Sequence, residues 1–168
     1  MNIINGTDVT FDKYKFDRES IRQSLINYSF DNRRPITKSM LAWWAFTNEQ
    51  QTYLSLEQSF EIEHIYAKNR QDIDGGLTDK RNLEKLGNKS LLEKSVNIRA
   101  SDFRFEDKVK KYKGYMNDKG KRIFGTMIKD LSTIDSGYQN FSENDITTRN
   151  DLIIDSFMNF LSSENLFI

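Results

Sequence analysis

The sequence predicts a mostly helical α+β domain in which one small two-stranded unit is embedded among helices. Three observations carry this. Apolar residues recur at helical spacing in the first third of the chain and again, over a longer run, toward its end. Between them, Phe60 to Ile65 alternate with the two-residue period of a strand. A chain of 168 residues, 37% of them hydrophobic, can bury one core of its own.

The elements are taken in chain order. A first helix is expected from about Arg18 to Ser29, with Ile21, Leu25 and Tyr28 on one side. The segment Asp31-Asn32-Arg33-Arg34-Pro35 ends it, and Thr37 is placed as the cap of a second helix reaching about Gln50. Met40, Leu41, Trp44 and Ala45 form the apolar stripe of that helix; Trp43 and Trp44 are assigned to packing, with base stacking as the alternative. SFEIEHIYA is the strand, and a loop comes next over KNRQDIDGG. Thr78 to Leu86 is short and helical or irregular, stopped by Gly87, and Ser90-Leu91-Leu92 is the second strand. Ser101 is expected to cap a helix carrying Phe105, Val109 and Tyr112. Residues 121–134 read as helical through Ile123, Met127, Ile128 and Leu131, against the local cost of Gly125. Ser142 opens the clearest helix, whose apolar face is Ile146, Ile153, Phe157, Phe160 and Leu161. Residues 1–57 are therefore expected to be a helical N-terminal segment packed on a functional domain at 58–168.

Composition narrows the chemistry. There is no cysteine, so disulfides, thiol nucleophiles and thiolate-bound zinc are excluded, and any metal must be held by oxygen and imidazole. A mean hydropathy of −0.70, with no apolar run near the ~18 residues a bilayer span needs, predicts no membrane segment. The first residues lack a basic and apolar leader, so a cytoplasmic location is expected. The 25 basic and 25 acidic residues give no global field. Locally, Lys108, Lys110, Lys111, Lys113, Lys119, Lys121 and Arg122 face a single acid, Asp118, with Tyr112 and Tyr115 interleaved. That stretch is the candidate phosphate-binding surface, and a solvated helix face running into a loop is its bland alternative.

The chain has one histidine, His64, directly after Glu63. Downstream lie Leu86-Gly87-Asn88 with Leu91-Leu92, then Asn97, then Phe105 and Lys108 in SDFRFEDK. This order resembles the HNH, or ββα-metal (His-Me finger), nucleases, and most closely the C-terminal branch found in GmrSD-type modification-dependent restriction enzymes. The similarity is clearest from about Phe60 to Tyr112, and Ile146-Thr147-Thr148-Arg149 resembles a later Ile-x-x-Arg pattern. Two positions depart from it: Ala67 stands where the family has proline, and Lys89 where it has leucine.

The resemblance implies a metal-dependent DNA endonuclease, a restriction or anti-phage cleavage module, with His64, Asn88 and Asn97 as the catalytic set. A neutral imidazole suits the deprotonation of water near neutral pH. A hard cation, Mg²⁺ or Mn²⁺, would be held by Glu63 and Asn97, because Mg²⁺ keeps most of its waters. Asn88 would orient the His64 ring or its loop; Asn82 is a rival for that position, lacking the preceding glycine. DNA is the implied partner, together with a nucleotide-hydrolysing N-terminal domain or subunit outside this chain. The alternatives are a catalytically degenerate nucleic-acid-binding module and a helical interaction domain.

Overall fold

A computed structural model describes residues 17–55, 57–73, 75–134 and 140–164. The described chain divides into two compact units, 17–28 with 151–164, and 29–150. The first contains α1 (Arg18–Asn27), capped by the Asp17 carboxylate on the Ser20 amide. The later part of α6 (Glu143–Ser163) belongs to it as well. Arg22 binds Asp155 through both carboxylate oxygens, at 2.6 and 3.2 Å, and Arg18 donates to Asn159.

The second unit holds everything near His64. It begins with α2 (Pro35–Phe46), where Pro35 occupies the first turn, a position whose amide has no helical partner in any case. Thr37 is therefore not the cap. It is buried inside the first turn and donates its hydroxyl to the Asp31 carbonyl. The two-stranded unit is antiparallel: β1 (Phe60–His64) pairs with β2 (Lys89–Glu93), placing His64 opposite Lys89 and Glu63 opposite Ser90. Between them run three 3-10 turns, Lys68–Asp72, Lys80–Glu84 and Leu86–Asn88. Then come α3 (Lys94–Ala100) and α4 (Phe105–Lys113). Ser101 ends α3 at φ +42° instead of opening α4.

The helix expected over 121–134 does not form. Gly114–Met116 (β3) and Arg122–Phe124 (β4) make a second hairpin, and only Lys129–Ser132 (α5) is helical. Asn117 explains the turn: its side-chain oxygen accepts from the amides of Lys119 and Lys121, and Gly120 sits at φ +70°. Gly125 fixes the return, since a Cβ there would lie 2.0 Å from the Tyr112 carbonyl. The capping box that opens α6 is present, with Ser142 and Asp145 bonded reciprocally.

The core of this unit joins Ile65 of the bend after β1 and Leu92 of β2 to Val96 of α3, Phe105 and Tyr112 of α4, and Ile146 of α6. No helix among the described residues is long and apolar enough to cross a membrane.

Candidate active site

His64 is the last residue of β1, and the bend just after it fixes its position. Asn88, fully buried, faces that bend and behaves as an extra peptide unit. Its side-chain oxygen accepts from the Tyr66 amide at 2.7 Å, and its amide donates to the carbonyls of Tyr66 and Leu83. Its own carbonyl accepts from Ile65. Asn88 thus clamps the loop and makes no bond to the imidazole ring. The preceding glycine has a separate reason: a Cβ on Gly87 would lie 1.9 Å from the Ile146 carbonyl of α6. Arg149 completes the support, donating to the carbonyls of Leu86, Gly87 and Lys89 while pairing with Asp130. Asn82 instead bonds Glu143 at 2.6 Å.

The imidazole itself is mostly enclosed, its side chain 16% exposed. Its Nε2 is buried with no hydrogen-bond partner, and the Glu84 carboxylate stands 3.9 Å away. Glu84 also accepts from Lys68 at 3.0 Å and from Lys89 at 2.5 Å. The neighbouring His64 imidazole, helped by the two ammonium groups and opposed by partial burial, holds the Glu84 carboxyl well below the usual carboxylate range.

The expectation that Glu63 faces an ion does not hold. Alternation along β1 sends it to the opposite side from His64, where it is buried and accepts from the Lys108 ammonium and the Tyr112 hydroxyl, both at 2.6 Å. Burial, with Glu63 alongside, pushes the Tyr112 phenol well above its ordinary pKa. Lys108 is corrected by the same contacts: it is 1% exposed, and its ammonium also donates to the His64 carbonyl, so it is no phosphate ligand.

Asn97 lies on α3 and donates its amide to Glu61 at 2.7 Å. No hydrogen bond among the described residues joins it to His64 or Glu63. The structure therefore brings Asn88 to the His64 bend and Asn97 to Glu61, the residue two before Glu63 on the same strand face. Glu61, Glu84 and Lys89 are the site residues that motif reading leaves out. The two-residue period that places Glu63 would have pointed to Glu61 too; nothing local joins Glu84 to His64.

The remaining basic residues lie outward. Lys110, Lys113, Lys119, Lys121 and Arg122 are exposed, and the Lys111 ammonium lies 4.0 Å from the centre of the Tyr115 ring. Phe124 is 76% exposed beside Arg122. Trp44 is tied inward through its indole N–H to Asp130, in agreement with its assignment to packing. A cleft of about 540 Å³ opens along the bend after His64, lined by Tyr66, Arg70, Phe103 and Glu143 among others, but His64 does not line it.

The described site is thus a strand pair with a side-chain-clamped bend and one enclosed histidine, within a mostly helical domain. The chain belongs to the family described as GmrSD restriction endonucleases, C-terminal domain, which matches residues 10–156. It is accordingly a nuclease domain of the restriction-endonuclease kind. No curated protein and no solved structure matches it.

Proposed function

We propose that this domain is a metal-dependent DNA endonuclease of the HNH type, with His64 as the base that takes a proton from the attacking water. The observation that supports this most is the clamped bend. Asn88 holds the bend that follows the chain's one histidine at a strand end, and the imidazole there has one ring nitrogen sealed from solvent and a side chain still partly open. A fixed imidazole of this kind is suited to general-base catalysis near neutral pH.

Asn97 and Glu61 offer a divalent cation, Mg²⁺ or Mn²⁺, a pair of oxygen donors, but that pair lies on the strand face opposite the His64 ring and is not proposed to share one site with the base. They offer oxygen donors of the hard class these ions take, and Mg²⁺ asks for only one or two protein ligands. Among the described residues no group of three histidine or acidic side chains could hold a metal, so a fully protein-built cage is not proposed. When bound, such an ion neutralises phosphate charge and assists the departing oxygen. Asn88 keeps the bend rigid, and Lys110, Lys111, Lys113, Lys119, Lys121 and Arg122 supply phosphate contacts for a DNA duplex. We further propose a cytoplasmic restriction or anti-phage role alongside a nucleotide-hydrolysing N-terminal domain or subunit.

The test is nicking of supercoiled plasmid with Mg²⁺ or Mn²⁺, with and without chelator. Wild type should nick in a metal-dependent manner and His64→Ala should not; equal nicking by the two would sink the proposal.

A further inference from the structure

Lys89 is the least ordinary residue near the site. Its side chain is wholly buried, and its ammonium lies 2.5 Å from the Phe30 carbonyl, 2.6 Å from the Asn32 side-chain oxygen and 2.5 Å from Glu84. An ammonium has three hydrogens to donate, so these three acceptors use all of them. A charge taken out of water persists only when it is paired and bonded in this way. Burial pulls the Lys89 pKa down, and its bond to Glu84 opposes that pull.

Lys89 thus acts as an anchor, and the group it anchors is Glu84. One Glu84 oxygen is held by Lys89; the other is shared between Lys68 and the approach to His64. The β1–β2 register puts Lys89 directly across from His64, so the ammonium, the carboxylate and the imidazole occupy one side of the strand pair. The His64 Nε2 is buried and lacks any hydrogen bond, and a buried polar atom of that kind calls for an explanation. At 3.9 Å the Glu84 oxygen is beyond hydrogen-bond length, but catalytic hydrogen bonds are commonly long before substrate binds. Since Nε2 is sealed from solvent, only the other ring nitrogen can meet a water.

We infer that Glu84 is a positioning residue for His64: anchored by Lys89, its carboxylate accepts the Nε2 proton of the neutral imidazole and leaves Nδ1 to act on water. The Nδ1 lone pair then takes a proton from the attacking water, whose O–H electron pair stays on the oxygen that attacks phosphorus, while the P–O bond to the departing ester oxygen breaks with its electron pair and that oxygen takes a proton from solvent. The resulting imidazolium faces Glu84 through Nε2. The catalytic part of this inference rests on the nuclease reading; the tautomer does not.

The chain's single histidine gives one imidazole ¹⁵N pair, so the tautomer can be read directly in labelled protein at about pH 8, above the ordinary imidazole range. Wild type should be the Nε2–H form. Glu84→Ala should populate the Nδ1–H form and lower kcat for DNA cleavage by about 10- to 100-fold with KM little changed. Glu84→Gln keeps an acceptor oxygen and should retain both the tautomer and more of the rate. Lys89→Met should behave like Glu84→Ala; if it does not fold, the two Glu84 variants decide alone. An Nδ1–H wild type, or a Glu84→Ala protein with unchanged tautomer or unchanged kcat, would overturn the inference. If wild type cleaves no DNA, the nuclease reading fails while the spectra still decide the tautomer.

Discussion

Two sets of lysines, close in sequence, do opposite work in this domain. Lys89 and Lys108 are buried, each with its ammonium bonded to a carboxylate and a backbone carbonyl, and each next to His64 in space. Lys110, Lys113, Lys119 and Lys121 point to solvent on α4 and the β3–β4 hairpin. The buried pair holds geometry; the outer group offers charge. Composition treats them alike. The difference lies in whether the stem falls on an apolar face, because a buried ammonium must be paired whereas an exposed one is free to meet a phosphate.

The sharpest way to break this comparison is Lys108→Ala. It leaves Glu63 buried with Tyr112 alone and should lower stability by about 3–5 kcal/mol in denaturant titration, a result no surface lysine should match. His64→Ala should leave the fold intact but reduce cleavage by about 100- to 10,000-fold, the range expected for loss of a general base. Asn88→Ala strands the Tyr66 and Leu83 backbone groups and should cost about 1–3 kcal/mol of stability, with cleavage falling as the bend loosens. The triple variant Lys119→Ala, Lys121→Ala, Arg122→Ala should change stability by less than about 0.5 kcal/mol. Its DNA affinity should nevertheless depend less on salt, by roughly 0.9 in log–log slope for each phosphate contact removed.

Acid titration should give a smaller effect. The Glu84 carboxyl ionises more readily folded than unfolded, so its contribution is fully present above the ordinary glutamate range, about 4.3. It is lost as pH falls below that range toward the depressed folded value. Thermal midpoints measured from pH 6 down to pH 3, values chosen to bracket about 4.3, should therefore fall less steeply in Glu84→Gln than in wild type.

Much of the fold was legible wherever one physical rule governed a short segment. The alternation of FEIEH placed β1, and Ser142 marked the opening of α6, where it pairs with Asp145. Helical spacing in the 121–134 region misled, since Ile123, Met127 and Ile128 fit a helix in period while Asn117 and Gly120 had already turned the chain into a hairpin. The burial of Lys108 was readable in principle: it lies three residues after Phe105 and four before Tyr112, on the same stripe of α4. The Lys89–Glu84–His64 cluster was not readable. It forms because a 3-10 turn and a strand meet, and no local period encodes that meeting.

The most direct measurement is single-turnover cleavage of a labelled DNA duplex in the presence of Mg²⁺, with DNA binding measured separately on the same proteins. His64→Ala should bind like wild type and fail to cleave, while the Lys119/Lys121/Arg122 triple variant should bind weakly yet cleave at the wild-type rate when the duplex is saturating. A His64→Ala protein that cleaves at the wild-type rate would contradict the account.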